Sequence, residues 1–212
     1  MKTLLPPLLA PGDRIGIAAP GGPIRQEALD RGVAYLAARG YRPVAGRNLA
    51  RRHAYLAGDD RERLDDLNRL IADPALTAIW FARGGYGSAR IVEGVDFAAL
   101  RRSPKALIGY SDVTVLQAAA WTKARLQTWY GPLVSELGDP ARFDEASLWS
   151  ALSGTPAVPS HSYPAAAVVR QGVGEGPLLG GCLSLLVGLV GTPYEPPLDG
   201  AVLFWEEVNE EP

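Results

Sequence analysis

Over roughly the first 130 residues, short apolar runs alternate with longer stretches in which apolar side chains recur at helical spacing. Arg14–Ala19 reads as a strand. From Ile24 to Arg39 the residues Ala28, Leu29, Val33, Leu36 and Ala37 fall on one helical face, and Gly40 stops the helix. Tyr41–Val44 reads as a second strand. It is weakened by Pro43, which cannot donate to a ladder. The spacing of Leu64, Leu67, Leu70 and Ile71 predicts a helix over Asp59–Ala72, capped by Asp59 or Asp60 and ended by Asp73-Pro74. Leu76–Ala82 is apolar nearly throughout, as a strand covered on both faces should be. Short helices are expected at Ser88–Gly94 and Asp96–Arg101. A buried strand follows at Ala106–Ile108, then a helix from Asp112 to Trp121 and a strand at Leu126–Tyr130.

Strands that alternate with helices argue for an α/β fold, a parallel sheet flanked by helices on both faces. Ligands of such sheets bind beyond the carboxyl ends of the strands. Three loops leave strands at that edge: Pro20-Gly21-Gly22, Arg83-Gly84-Gly85-Tyr86-Gly87 and Tyr110-Ser111-Asp112.

The pattern changes near Leu137. A short helix is expected within Asp139–Ser150, a Pro- and Ser-rich linker over Gly154–Pro164, and a strand at Ala165–Arg170. Leu178–Val190, apolar with small residues, reads as a buried helix after Gly180-Gly181, and Ala201–Trp205 as a strand. The expected division is residues 1–136 as the N-terminal α/β domain and 137–164 as a connecting segment. Residues 165–212 are expected to begin a second, mostly β domain that is incomplete here.

Hydrophobic residues make up 47% of the chain and charged residues 21%, with a net charge of −2. No basic block stands out, which argues against a nucleic-acid partner. No apolar run reaches the length of a membrane span, and the proline-broken N-terminus lacks a cleavage signal. The single cysteine, Cys182, excludes an internal disulfide and suits a reducing compartment. His/Cys spacings that would hold a metal are missing, and no metal or cofactor is expected.

Ser111 falls where a strand turns sharply into a helix, a place that exposes a side-chain oxygen above the sheet edge. Gly109-Tyr110-Ser111 matches the first half of a G-x-S-x-G elbow, and Asp112-Val113 departs from the second. Taken alone, Ser111 or Asp112 equally suits a helix cap. In Arg83–Gly87, three glycines let the backbone approach a ligand and offer N–H groups to an anion. The loop is neither a P-loop nor a dinucleotide fingerprint, and a tight turn needing positive φ is the alternative to a ligand-binding role. A serine nucleophile needs a base. His53 and His161, the only histidines, both sit in contexts that read as surface. Glu206 follows an apolar strand, where its carboxylate either orients a histidine or is simply solvated.

Together these residues resemble the LD-carboxypeptidase family of serine peptidases, which includes muramoyltetrapeptide carboxypeptidases and microcin C immunity proteins. The resemblance is carried by Pro11–Ile15 with Ala18-Ala19-Pro20, by Tyr55–Gly58 with Arg63, Asp66 and Leu67, and by Ala82–Gly87. It continues through Lys105 with Ile108–Asp112, Gly131-Pro132, Gly180-Gly181 with Leu183, Gly191-Thr192 and Phe204–Glu207. It implies a Ser–His–Glu triad in which Ser111 is the nucleophile and Glu206 the acid. The implied oxyanion hole is formed by the N–H groups of Gly85 and Asp112, with Arg83, Gly84 and Tyr110 as substrate-binding residues. The implied reaction is release of the terminal D-alanine from cytoplasmic murein tetrapeptides, in peptidoglycan recycling, by a homodimer. A microcin-C-type amide hydrolase and an inactive remnant stay open as alternatives. The family's histidine lies downstream of its glutamate and has no counterpart before Pro212, so a truncated, inactive chain is expected. Tyr130 and Cys182 stand where the family usually has His and Asn.

Overall fold

In the computed structural model, residues 2–139, 141–154 and 169–208 are described. Chain order gives β1 (Arg14–Ala18), α1 (Gln26–Ala38), β2 (Arg42–Ala45), α2 (Asp60–Ala72), β3 (Ala78–Phe81), α3 (Ser88–Ile91) and α4 (Phe97–Arg102). Next come β4 (Ala106–Gly109), α5 (Thr114–Ala124), β5 (Trp129–Tyr130), α6 (Glu145–Ser153), β6 (Leu178–Cys182), α7 (Leu183–Val187) and β7 (Val202–Glu206). The first five strands form one parallel sheet ordered β2-β1-β3-β4-β5, and β6 and β7 form a separate parallel pair.

Two-residue alternation along the strands divides the core between the faces of the sheet. Ile15, Ile17, Ala78, Trp80, Ala106 and Ile108 point to one face, where Leu29 and Leu36 of α1 and Leu152 of α6 cover them. Ile79, Phe81 and Leu107 point to the other, beneath Leu67, Leu70 and Ile71 of α2, Leu100 of α4 and Val115 and Leu116 of α5. With both faces covered, β3 and β4 are buried at every position, which is why they read as unbroken apolar runs.

Helix α2 starts with a reciprocal cap. Asp59 Oδ1 accepts from the Glu62 N–H at 2.7 Å, and Glu62 Oε2 accepts from the Asp59 N–H at 3.0 Å. Asp59→Ala is expected to cost about 1 kcal/mol, read as a lower urea midpoint with an unchanged slope.

Pro43 is accommodated because, among the described residues, β2 is an edge strand paired with β1 alone. The strand expected over Leu126–Tyr130 is shorter. Leu126 bridges to Leu4 near the N-terminus, and only Trp129 and Tyr130 pair with β4. The helix expected after Gly180-Gly181 is present but shorter and not buried. Leu178–Cys182 is a strand paired with β7, and only Leu183–Val187 is helical, with no buried residue. Gly180 and Gly181 sit at φ +159 and +140, outside any helical conformation, and a short apolar run does not distinguish strand from helix by period. Leu183 and Val202 are exposed and Leu186 half-buried, whereas Leu189 packs into the core beneath α5. Most of the strand expected at Ala165–Arg170 and of the preceding linker lies outside the described residues, and the described Val169 and Arg170 form a bend rather than a strand.

Candidate active site

The strand order reverses between β1 and β3, which lie side by side while their connections run to opposite faces. Such a switch point opens a crevice at the carboxyl ends of the strands. The loops after β1, β3 and β4 meet there. The Gly22 N–H donates to the Gly84 carbonyl at 2.8 Å, joining the first loop to the second. Gly84 faces Ser111 so closely that a Cβ there would lie 2.9 Å from Ser111 Oγ. Gly85 turns through φ +109, a conformation that favours glycine.

Ser111 itself has φ +65. A serine in the left-handed region is strained by about 1–3 kcal/mol and persists only where its surroundings impose it. Tyr110, before it, is extended, and a 3-10 turn over Ser111–Val113 leads into α5. This is the sharp strand–turn–helix geometry of a nucleophile elbow. The capping alternative fails for both residues. The start of the turn has no side-chain cap, and the Asp112 carboxylate is directed away from its own helix.

Asp112 is buried beneath the glycine loop. Oδ1 accepts from the Gly87 N–H at 3.2 Å, and Oδ2 accepts from the Ser88 N–H at 3.0 Å and the Ser88 hydroxyl at 2.7 Å. Burial pushes its pKa above the ordinary carboxylate range, while the Ser88 and Gly87 donors and the Arg63 charge pull against that rise. Arg63, also buried, ties the first two loops together from below: Nη1 donates to the Gly87 carbonyl at 2.9 Å and to the Pro20 carbonyl. Its Nη2 binds Asp60. Arg83 lies at the exposed rim and donates to the Pro23 carbonyl at 2.9 Å.

The second sheet reaches the same place. Cys182 N–H donates to Thr114 Oγ1 at 3.1 Å, docking β6 on the start of α5. In register with Cys182, Glu206 ends β7, and its Oε1 accepts from the Tyr130 hydroxyl. That hydroxyl in turn accepts from the Ser111 N–H at 3.3 Å. Ser111 and Glu206, 95 residues apart in sequence, are therefore joined through one phenol. Tyr110 turns away and donates to Glu136 Oε1 at 2.7 Å. Burial first, and this bond second, push its phenol up to about 12. Glu207 accepts from the Ser184 N–H at 2.9 Å, and its carboxyl is held down to about 2 by the Val208 N–H first and the Ser184 N–H next. A cavity of about 760 Å³ opens beside Tyr130, walled by Gln117, Trp121, Trp129, Gly180 and Phe204.

Ser111, Asp112, Gly84, Gly85 and Glu206 are thus gathered at one crevice, with Arg83 at its rim and Tyr110 hydrogen-bonded on its far side. His53 is exposed in the turn ahead of α2, where its N–H pairs with the Leu56 carbonyl, and His161 lies outside the described residues. Among the described residues, no three His, Cys, Asp or Glu side chains gather as a metal site requires. No described helix is long and apolar enough to cross a membrane. Three further residues of the crevice escaped sequence reasoning in their side-chain roles: Arg63, the Asp112 carboxylate and the Tyr130 hydroxyl.

A parallel α/β sheet with a serine elbow at its switch point defines the class. The chain belongs to the LD-carboxypeptidase family, matching its N-terminal domain over residues 15–131 and its C-terminal domain over 175–212. It is 37% identical over 210 residues to the probable murein peptide carboxypeptidase of Bacillus subtilis, covering 98% of this chain and 66% of that protein. It is 33% identical to the murein tetrapeptide carboxypeptidase of Pseudomonas aeruginosa, covering 93% of this chain and 67% of that one. The structure of MccF in complex with glutamyl sulfamoyl guanosine superposes with a TM-score of 0.82 at 28% identity, covering 96% of this chain and 71% of that one. The chain spans about two thirds of the length of the curated relatives it matches.

Proposed function

We propose that the protein is a serine hydrolase that releases the terminal D-alanine of murein tetrapeptides, acting in the cytoplasm in peptidoglycan recycling. The observation that carries this reading is Ser111 at φ +65, on a strand–helix turn, with the Gly84–Gly87 loop packed against its side chain. Family membership supplies the reaction class, and the murein-peptide names of the relatives supply the substrate.

In this reading Ser111 Oγ attacks the carbonyl carbon of the bond between the L-centre of the diamino acid and D-alanine. A histidine base, to which no residue of this chain is assigned, takes the serine proton, and Glu206 orients that base. Charge on the carbonyl oxygen is held by the Gly85 and Asp112 N–H groups, which need no reorganisation as it develops. The C–N bond breaks, D-alanine leaves with the proton, and water hydrolyses the Ser111 ester. Arg83 and the glycine loop receive the terminal carboxylate. Residues 1–136 carry the nucleophile, 137–164 connect, and 165–212 begin the domain that contributes Glu206. A homodimer is the assembly this reading favours.

A second reading, a microcin-C-type amide hydrolase, is favoured by the likeness to MccF and by the aromatic wall of the cavity, where Trp129 is placed to stack a base. The two are separated by assaying the gene's full product on a murein tetrapeptide and on an aminoacyl sulfamoyl adenosine. D-Alanine release with a kcat/KM at least about tenfold higher than for the nucleotide is expected. Preference for the nucleotide would transfer the assignment to the second reading.

A further inference from the structure

We propose that Tyr130 is a positioning residue of the hydrolytic site, its phenol fixing the Glu206 carboxylate against the turn that carries Ser111. The inference rests on the roles given above to Ser111 and Glu206.

The direction of the two hydrogen bonds is forced. A backbone N–H only donates, so at Ser111 the phenol oxygen is the acceptor. The single phenol proton is then free for Glu206 Oε1, the partner on its other side. Burial first, and the Glu206 bond second, push the phenol pKa upward against the Ser111 N–H and the Thr114 hydroxyl, so the phenol is a neutral donor at neutral pH. With Oε1 held in this way, Oε2 is the carboxylate oxygen left for an imidazole. Hydrogen bonds of this kind hold a catalytic group in its productive orientation, where displacement of about 1 Å costs roughly a hundredfold in rate.

The ring has its own supports. It meets Tyr110 edge-on at 6.0 Å between centroids and Phe204 at 5.1 Å. Tyr110 directly precedes the nucleophile, and Phe204 lies two residues before Glu206 on the same face of β7. The ring therefore packs between the two sheets, and its hydroxyl sits where both contribute a functional group. Tyr130→Phe keeps the ring contacts and removes the hydroxyl, with its bonds to Ser111, Glu206 and Thr114.

The test uses the gene's full product. Tyr130→Phe is expected to lower kcat for tetrapeptide about 10- to 100-fold with KM within about threefold, and to leave Tm within a few degrees. Tyr130→His, whose neutral ring has one donor and one acceptor, is expected to recover part of the loss. Independently of turnover, the Ser111 amide is expected to exchange about tenfold faster in Tyr130→Phe, since its acceptor is gone. Wild-type kcat in Tyr130→Phe, an unchanged Ser111 exchange rate, or a loss in kcat that merely follows a fall in Tm and is equal in the His variant would each overturn the inference. Failure of the hydrolase reading looks different: wild-type protein would then be inactive on tetrapeptide and unlabelled at Ser111 by a fluorophosphonate.

Discussion

Ser111→Ala is expected to abolish tetrapeptide hydrolysis, lowering kcat by at least about a thousandfold, because loss of a triad member commonly costs several powers of ten. Stability should change little. The Ser111 hydroxyl makes no hydrogen bond to the described residues, so deleting it strands no partner. A helix cap behaves in the opposite way, losing about 1 kcal/mol of stability with turnover nearly intact. The backbone sharpens the contrast. At φ +65 any residue with a Cβ is strained, so Ser111→Gly should stabilise the protein by about 1 kcal/mol while being as inactive as the alanine variant. Parallel urea denaturation and D-alanine release assays read both quantities. Retained turnover in either variant would sink the nucleophile assignment.

Asp112→Ala is expected to be the most damaging change to stability near the site. Its carboxylate accepts from two backbone N–H groups and one hydroxyl, all buried, and alanine leaves those donors without a partner. Each such group costs about 1–3 kcal/mol, partly offset by removal of a buried charge. A net loss of about 3 kcal/mol is expected, a fall in Tm of roughly 6–12 °C for a chain of this size. Activity should fall with it, since the glycine loop loses its anchor to the elbow. The pH dependence has a definite sign. Burial raises the folded-state pKa, so between the ordinary 3.8 and the raised value the folded protein holds the proton better than the unfolded chain. The stability this group contributes is greatest in acid and declines as pH rises through that window. The gap between wild type and Asp112→Ala should accordingly narrow from acid to neutral pH. A gap that widens over that interval would contradict the buried-carboxylate account.

The parallel sheet was legible because β3 and β4 are buried on both faces and leave unbroken apolar runs, while α1 and α2 leave stripes at helical spacing. The first two loops of the crevice were legible because glycine clusters directly follow strands, and the third because a strand pattern passes abruptly into a helical one at Ser111. Apolarity alone did not distinguish the Leu178–Cys182 strand from a helix, since its pairing with β7 is specified more than 20 residues away. The side chains that lock the crevice were illegible for the same reason. Arg63 meets the carbonyls of Pro20 and Gly87, Asp112 meets Ser88, and Tyr130 meets Glu206, contacts that span 43, 24, 24 and 76 residues. Local periodicity carries no record of partners so remote. A buried arginine in an amphipathic helix and a Ser-Asp pair at a turn read equally well as a solvated face and a cap.

The bridge between the sheets also has a bearing on synthesis. The five-stranded sheet is complete in sequence at Tyr130, whereas Glu206 is added 76 residues later. On the ribosome, the turn that carries Ser111 is made first, and Glu206 arrives only when β7 pairs with β6 and β6 docks on α5. In the proposed mechanism, hydrolytic competence would report that docking. A nascent chain with only its first sheet folded would present Ser111 without Glu206, so under that mechanism the order of translation would hold off premature chemistry.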